Sequence, residues 1–332
     1  MMHNTSTSTS SILRIALLCV IFNTHNCTGH AAAPQKSLHV YLLAGQSNME
    51  GQGVVDLDHP EHYNGGRGIL KNVMKEKRNL KRFQHIQDAK GDWVIRDDVW
   101  CRFQTRNELK AGPLSIGFAG YPGKHHIGPE FQFGHVVGDA TTPPVLLIKT
   151  AWGGKSLYKD FRPPSSGGKV GPYYTLMLKE IREALKSIPQ DFPHLSRYEP
   201  RLAGFVWFQG WNDAFAPDDE RAQYSEHLVH LIQDLRKELK SPALPVVVGE
   251  LGNLADEAGK NLKIIRAQQK KGAADGRLGG NVVFVPTTGF ARPKEQSPNV
   301  GHGHHWFGNA ESYFLIGDAL GRAMLKLQAE KR

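Results

Sequence analysis

A serine hydroxyl is a poor nucleophile at neutral pH. It needs a base to take its proton and donors to hold the oxyanion that forms on attack at a carbonyl. The stretch YLLAGQSNMEGQG (41–53) places Ser47 where an apolar run stops at Gly45, so that its hydroxyl could stand exposed at a sharp turn. An ordinary turn serine leaves the same local trace, and partners elsewhere must decide between the two. The motif Gly45-Gln46-Ser47-Asn48-Met49 is not the Gly-x-Ser-x-Gly elbow of α/β-hydrolases, because Met49 takes the last glycine's place.

A base is on offer in GHGHHWFGNAESYF, where His302, His304 and His305 precede the last helical pattern. A solvated histidine loop would read the same way, and with His125 and His126 so would a metal site. The chain has no HExxH, and its histidines lack regular helical spacing, which weighs against metal. Oxyanion donors are offered by AWGGKS (151–156), because backbone amides at Gly153 and Gly154 can approach a ligand closely. Gln209, ending another apolar run, could add a side-chain amide.

These residues need elements to bring them together. Five short apolar runs, LHVYLLA (38–44), PVLLIKTA (144–151), LAGFVWF (202–208), LPVVVGEL (244–251) and NVVFVP (281–286), are nearly continuous, as strands buried on both faces are. Helical spacing appears in 172–188 and 218–240, and a last helix is expected over about 309–327. Asp218, following Pro217, is a candidate N-cap. Strand and helix alternate, which predicts an α/β doubly wound, mainly parallel five-stranded sheet. Ligands in such sheets bind beyond the carboxyl ends of the strands. Ser47, the Gly153–Gly154 turn, Gln209, Asp213 and Glu250 all fall there. Residues 51–127 read as an insertion beside the site, with strand-like alternation in 92–105 and a helix beginning near Pro129.

The N-terminal 32 residues have an apolar core around 12–22 and small residues at Ala31–Ala33, the pattern of a signal peptide. That core is too short to span a membrane. The expectation is export to the periplasm or the exterior, and a single domain over 33–332. Cys19 and Cys27 lie in the leader, so Cys101 alone remains and neither a disulfide nor a cysteine metal site can form within the mature chain. The net charge is +9, much of it in KNVMKEKRNLKRF (71–83). Such a run is either a solvated helical face or a patch for an acidic partner such as a charged polysaccharide. No nucleic-acid-binding motif is present.

The blocks GQSNM, GPEFQFGH, IKTAWGGKSL, FVWFQGWND and HHWFGNAESYFLIGDALGRAM occur in this order over about 38–325. Together they resemble the SGNH-hydrolase superfamily, in its sialate O-acetylesterase-like branch similar to carbohydrate esterase family six. The resemblance implies a flavodoxin-like three-layer α/β/α fold and removal of O-acetyl groups from a carbohydrate such as sialate, xylan or another acetylated polysaccharide. It implies no metal and no organic cofactor. By the same resemblance Ser47 is the nucleophile and His305 the base. The oxyanion donors are Ser47, Gly154 (with Gly153 the near alternative) and Gln209. One position departs from the pattern: His302 stands where the family has an aspartate three residues before the histidine. Glu250 or Asp213 could substitute, or a Ser–His dyad could serve. Gln46, Trp152, Trp211 and Trp306 are candidate substrate contacts, the tryptophans through stacking on sugar faces. Arg162 and Lys155 could meet a carboxylate on an acidic sugar. A non-catalytic carbohydrate-binding protein is the rival from another class. A lipase or thioesterase of the same superfamily is the rival enzyme, and it would need an apolar acyl channel.

Overall fold

The computed structural model describes Met1 and residues 36–56 and 63–330, so the expected leader otherwise lies outside the described residues. Among the described residues nine strands form: β1 (Ser37–Gly45), β2 (Gly53–Val54), β3 (Val99–Gln104), β4 (Leu109–Pro113), β5 (His126–Ile127), β6 (Val145–Ala151), β7 (Glu199–Phe208), β8 (Val246–Gly249) and β9 (Val282–Val285). Seven of them make one sheet in the order β4-β3-β6-β1-β7-β8-β9, and β2 pairs with β5. All neighbours in the large sheet are parallel except β3 and β4. The five expected strands are present, and the sheet is two strands wider than expected. The extra pair comes from the segment read as an insertion. Val99, Cys101 and Phe103 of β3 are buried, but Arg102 interrupts the apolar run and pairs with Asp191 at 2.7 Å.

The longer helices cover both faces of the sheet. They are α4 (Pro129–Asp139), α5 (Pro172–Lys186), α9 (Tyr224–Glu238), α10 (Lys260–Ala273) and α11 (Ala310–Ala329). The short ones are α1 (Ser47–Glu50), α2 (Leu70–Val73), α3 (Leu80–Phe83), α6 (Ile188–Asp191), α7 (Trp211–Ala214) and α8 (Asp218–Ala222). Side chains alternate along β1. Val40, Leu42 and Ala44 join a core with Met177, Leu228 and Ile265 of α5, α9 and α10. Tyr41 and Leu43 face the other way, toward Phe133 of α4 and Tyr313 of α11. The result is the three-layer α/β/α sandwich, with a strand period of two deciding which layer each residue joins.

Two local expectations change. The helix expected over 218–240 breaks at Gln223, and Tyr224 turns inward to donate its hydroxyl proton to Gln209. Asp218 is a first-turn residue paired with Arg221 and makes no side-chain cap. The basic run folds as α2 and α3, burying Leu70, Val73 and Phe83 while its lysines and arginines stay exposed. Cys101 is a buried free thiol, and burial pushes its pKa up. Among the described residues no helix is long and apolar enough to cross a membrane.

Candidate active site

β1 lies between β6 and β7, and the chain leaves β1 toward one side of the sheet first and the other later. The carboxyl end of β1 is therefore the topological switch point, where α/β sheets open a crevice. Gly45 ends the strand there. A Cβ on it would stand 2.1 Å from the Phe208 carbonyl oxygen, so only glycine lets β7 come this close. The amides of Met49 and Glu50 then donate to the Gln46 carbonyl at 2.8 and 2.9 Å, turning the chain into α1. Ser47 is the first residue of that helix and is 8% exposed.

The histidine segment is held against this turn by side chains that sequence reasoning did not assign. Asn48 Nδ2 donates to the His304 carbonyl at 3.1 Å, and Asn253 Nδ2 donates to the same carbonyl at 2.9 Å. The Tyr313 hydroxyl reaches Asn48 Oδ1 at 2.8 Å and the His305 carbonyl at 3.3 Å. The residue after Ser47 is thus tied to the backbone of His304 and His305. Trp306 and Phe307 follow with φ of 55° and 53°, two successive left-handed residues without a glycine. Such backbone strain persists only where surrounding contacts over-determine it, and it concentrates at functional sites. Burial, with His304 and His302 adding to it, pushes the His305 pKa down to about 3, so its imidazole is neutral. Asn48 lay in plain view inside the quoted motif; Tyr313 and Asn253 carried no local signal.

Ser47, Gly153, Gly154, Asn212, His304 and His305 line one cleft of about 600 Å³. The Gly153 amide donates to Glu50, whose pKa is raised by burial. A Cβ on Gly153 would meet Glu50 Oε2 at 3.0 Å and the Ser47 Cβ at 3.5 Å, so the glycine turn lies directly beside the serine. Gln209 does not line the cleft. Its Nε2 faces Asp213 Oδ2 at 2.6 Å, the Lys155 carbonyl at 2.9 Å and Gln46 Oε1 at 3.2 Å, while Tyr224 donates to its Oε1. Asn212 does face the cleft, and backbone geometry sets its orientation. The Gly210 amide donates to Gln46 Oε1, so Gln46 Nε2 must be the group that donates to Asn212 Oδ1, at 3.0 Å. That leaves Asn212 Nδ2 as its donor for the cleft.

None of the candidate third members hydrogen-bonds the His305 ring. Asp213 accepts the Leu157 and Tyr158 amides at 2.9–3.0 Å as well as Gln209, and burial pushes its pKa up to about 6. Glu250 accepts the Thr287 and Thr288 amides at 2.7 and 2.9 Å. Both carboxylates pin loops. His302 stands edge-on to His305, with ring centroids 6.2 Å apart. Of the aromatic candidates, Trp211 lines the cleft, whereas Trp152 and Trp306 are buried in the two cores. Lys155 lies over the Tyr173 ring, and Arg162 donates to carbonyls of its own loop. The cation at the cleft is Arg106, 3.4 Å from the Gly153 carbonyl. Gln46 lines the cleft as expected. His125 pairs with Asp56, and His126 stacks on Tyr121.

A serine turn, a glycine turn and a histidine loop converging at the switch point of a three-layer α/β/α sheet are the layout of an SGNH-type ester hydrolase. Residues 37–326 match the family model described as carbohydrate esterase, sialic acid-specific acetylesterase, and the chain belongs to that family. It is a carboxylic ester hydrolase. Among solved structures it is similar to a protein of Arabidopsis thaliana at 17% identity, over 87% of this chain and 98% of that one, with a TM-score of 0.53. It is also similar to NanS at 15% identity, over 89% and 99% of the two chains, with a TM-score of 0.52. A carbohydrate acetylesterase of Xanthomonas citri matches at 16% identity over 86% of this chain and 56% of that one, with a TM-score of 0.45. No curated protein matches the chain by sequence. At these identities the first two likenesses speak for the fold alone.

Proposed function

We propose that this is an exported serine esterase that removes acetyl groups from a glycan, with residues 1–32 as its cleaved leader and 33–332 as its one catalytic domain. Ser47 Oγ attacks the ester carbonyl carbon while His305 takes its proton. The tetrahedral oxyanion is held by the backbone amides of Ser47 and Gly154 and by Asn212 Nδ2, which takes the part expected of Gln209. The sugar hydroxyl leaves with the proton from His305. Water, deprotonated by the same imidazole, then attacks the acetyl-serine and releases acetate. With Asp213 and Glu250 committed to backbone amides, the pair works as a Ser–His dyad, and Glu50 and the Gly153 amide shape the wall beside it.

The observation that carries this reading is the lining of the cleft. It holds Gln46, Glu50, Gln52, Arg106, Asn107, Tyr121, Trp211 and Asn212 around Ser47 and His305, and among the described residues no aliphatic side chain but Pro122. A long acyl chain would find no apolar channel there, which disfavours a lipase or thioesterase. Hydroxyl-rich sugars find both hydrogen-bonding groups and flat rings. Among the described residues no carboxylate hydrogen-bonds the His305 ring, which favours the non-catalytic rival, and one experiment separates them. Acetate release from an aryl acetate and from acetylated glycans is measured for the wild type and for Ser47→Ala. Turnover by the wild type alone supports the reading. No turnover by either sinks the esterase mechanism, and equal turnover dismisses Ser47 as nucleophile.

A further inference from the structure

A row of rings leads out of the cleft. The His305 and His304 ring centroids are 4.0 Å apart, His304 and Trp211 are 5.7 Å apart, and Trp211 and Phe215 are 5.4 Å apart. Phe215 ends the row and is 65% exposed. Its position is fixed by the site itself. Trp211 opens α7, Phe215 directly follows that helix, and the same turn supplies Asn212 to the cleft. Asp213 anchors the turn from beneath through the Leu157 and Tyr158 amides. Phe215 is not an isolated exposed ring: with Trp211 and the histidines it makes a contiguous run at the cleft, and contiguous apolar patches mark binding surfaces.

The chemistry of the surroundings selects the occupant. Apart from Pro122, the apolar side chains that line the cleft are rings, and side-chain amides, a carboxylate and a guanidinium line it with them. A pyranose has a flat C–H face that stacks on an aromatic ring, and a rim of hydroxyls that needs hydrogen-bonding partners. A lipid or an apolar peptide would use the rings and leave the polar groups buried without partners.

We propose that Trp211 and Phe215 form a second sugar subsite, so that the substrate is an oligosaccharide or longer glycan rather than a single sugar. The acetylated residue sits at Ser47 and its neighbour in the chain stacks on the Trp211–Phe215 platform. This assignment rests on the esterase reading above.

The test compares acetylated xylo-oligosaccharides and acetylated oligosialic acids of one to five residues, with an aryl acetate alongside. For the wild type, kcat/KM on at least one series is expected to climb roughly fivefold or more from one residue to three. Phe215→Ala is expected to lose that gain, and Phe215→Tyr to keep it. A profile flat with chain length, or a gain that survives Phe215→Ala, overturns the proposal. So does turnover of the aryl acetate with none of either glycan, and in that case the ester hydrolase chemistry still stands. If even the aryl acetate is untouched, Ser47→Ala titrated with the same oligosaccharides reads the platform alone through tryptophan fluorescence. Quenching that strengthens with chain length and is lost in Phe215→Ala upholds the subsite, and no length dependence removes it.

Discussion

His305 is held neutral by burial and by its histidine neighbours, with a pKa near 3 against an ordinary value near 6.5. The free base therefore persists far into acid. The acid limb of kcat/KM on an aryl acetate is expected well below pH 6, so activity at about pH 5 should remain close to that at pH 7. A half-maximal point near pH 6.5 would contradict this environment for His305 or its proposed role as base. Tyr313 acts through other groups, bridging Asn48 and the His305 carbonyl from a fully buried position. Tyr313→Phe removes the one hydroxyl proton that these two acceptors share, at a cost of about 1–2 kcal/mol. The expected kinetic result is a several-fold fall in kcat with KM little changed, because His305 drifts while the cleft wall stays. An unchanged kcat in a destabilised protein would reduce Tyr313 to a packing residue.

The elements meet closely wherever glycines allow it. On α11, a Cβ at Gly317 would lie 2.4 Å from the Pro129 carbonyl, and one at Gly321 would lie 2.8 Å from the Val136 Cβ. This pair sets the distance between α11 and α4. Gly317→Ala gains helix propensity but must push the helices apart, and overpacking of this kind costs about 1–3 kcal/mol. A lower urea midpoint with an unchanged m-value is expected, and a higher midpoint would show that the two helices can separate freely. α4 is tied in turn to the serine turn. The buried Lys149 Nζ of β6 donates to Glu130 at 2.7 Å and to the Glu50 and Phe118 carbonyls at 2.9 Å. One ammonium thus links the end of α1, the loop bordering the cleft and the start of α4. No local pattern announces a lysine of this kind in an apolar run; it is paid for by three acceptors from three segments.

Across the whole molecule, burial moves titrations in opposing directions. His126 and His227 fall to about 4, and His135 and His305 to about 3, each chiefly through burial. The unfolded chain binds protons at these positions below about 6.5, so their stability is complete above that pH and drains away as pH falls. Glu180 moves the other way, pushed up to about 7 by burial, with Oε2 unpartnered. The native state holds its proton where the unfolded chain has lost it, so the penalty is absent below about pH 4 and complete above about pH 7. Glu180→Gln is therefore expected to raise the melting temperature by a few degrees at pH 8 and to leave it unchanged at pH 4. An equal shift at both values would remove ionisation as the cause.

What the sequence determined by itself was set by short-range physics. Nearly continuous apolar runs marked β6, β1, β7, β8 and β9, and the glycine turns after the first two runs marked the rim where Ser47 stands. The order of the five blocks was enough for the family resemblance, because each is a short contiguous stretch with its own residue demands. β3 and β4 were harder to read, since Arg102 breaks the run and finds its partner only in Asp191. Which of Gln209 and Asn212 faces the cleft lay beyond sequence altogether. They sit three residues apart on one turn, and only the Gln46, Asp213 and Tyr224 contacts decide which amide turns inward. The same holds for the acid behind His305. Asp213 in α7 and Glu250 just after β8 lie at the right rim, yet backbone amides from distant segments claim both. Which side chain faces a cleft depends on what else competes for its hydrogen bonds, and those competitors come together only when the chain has folded.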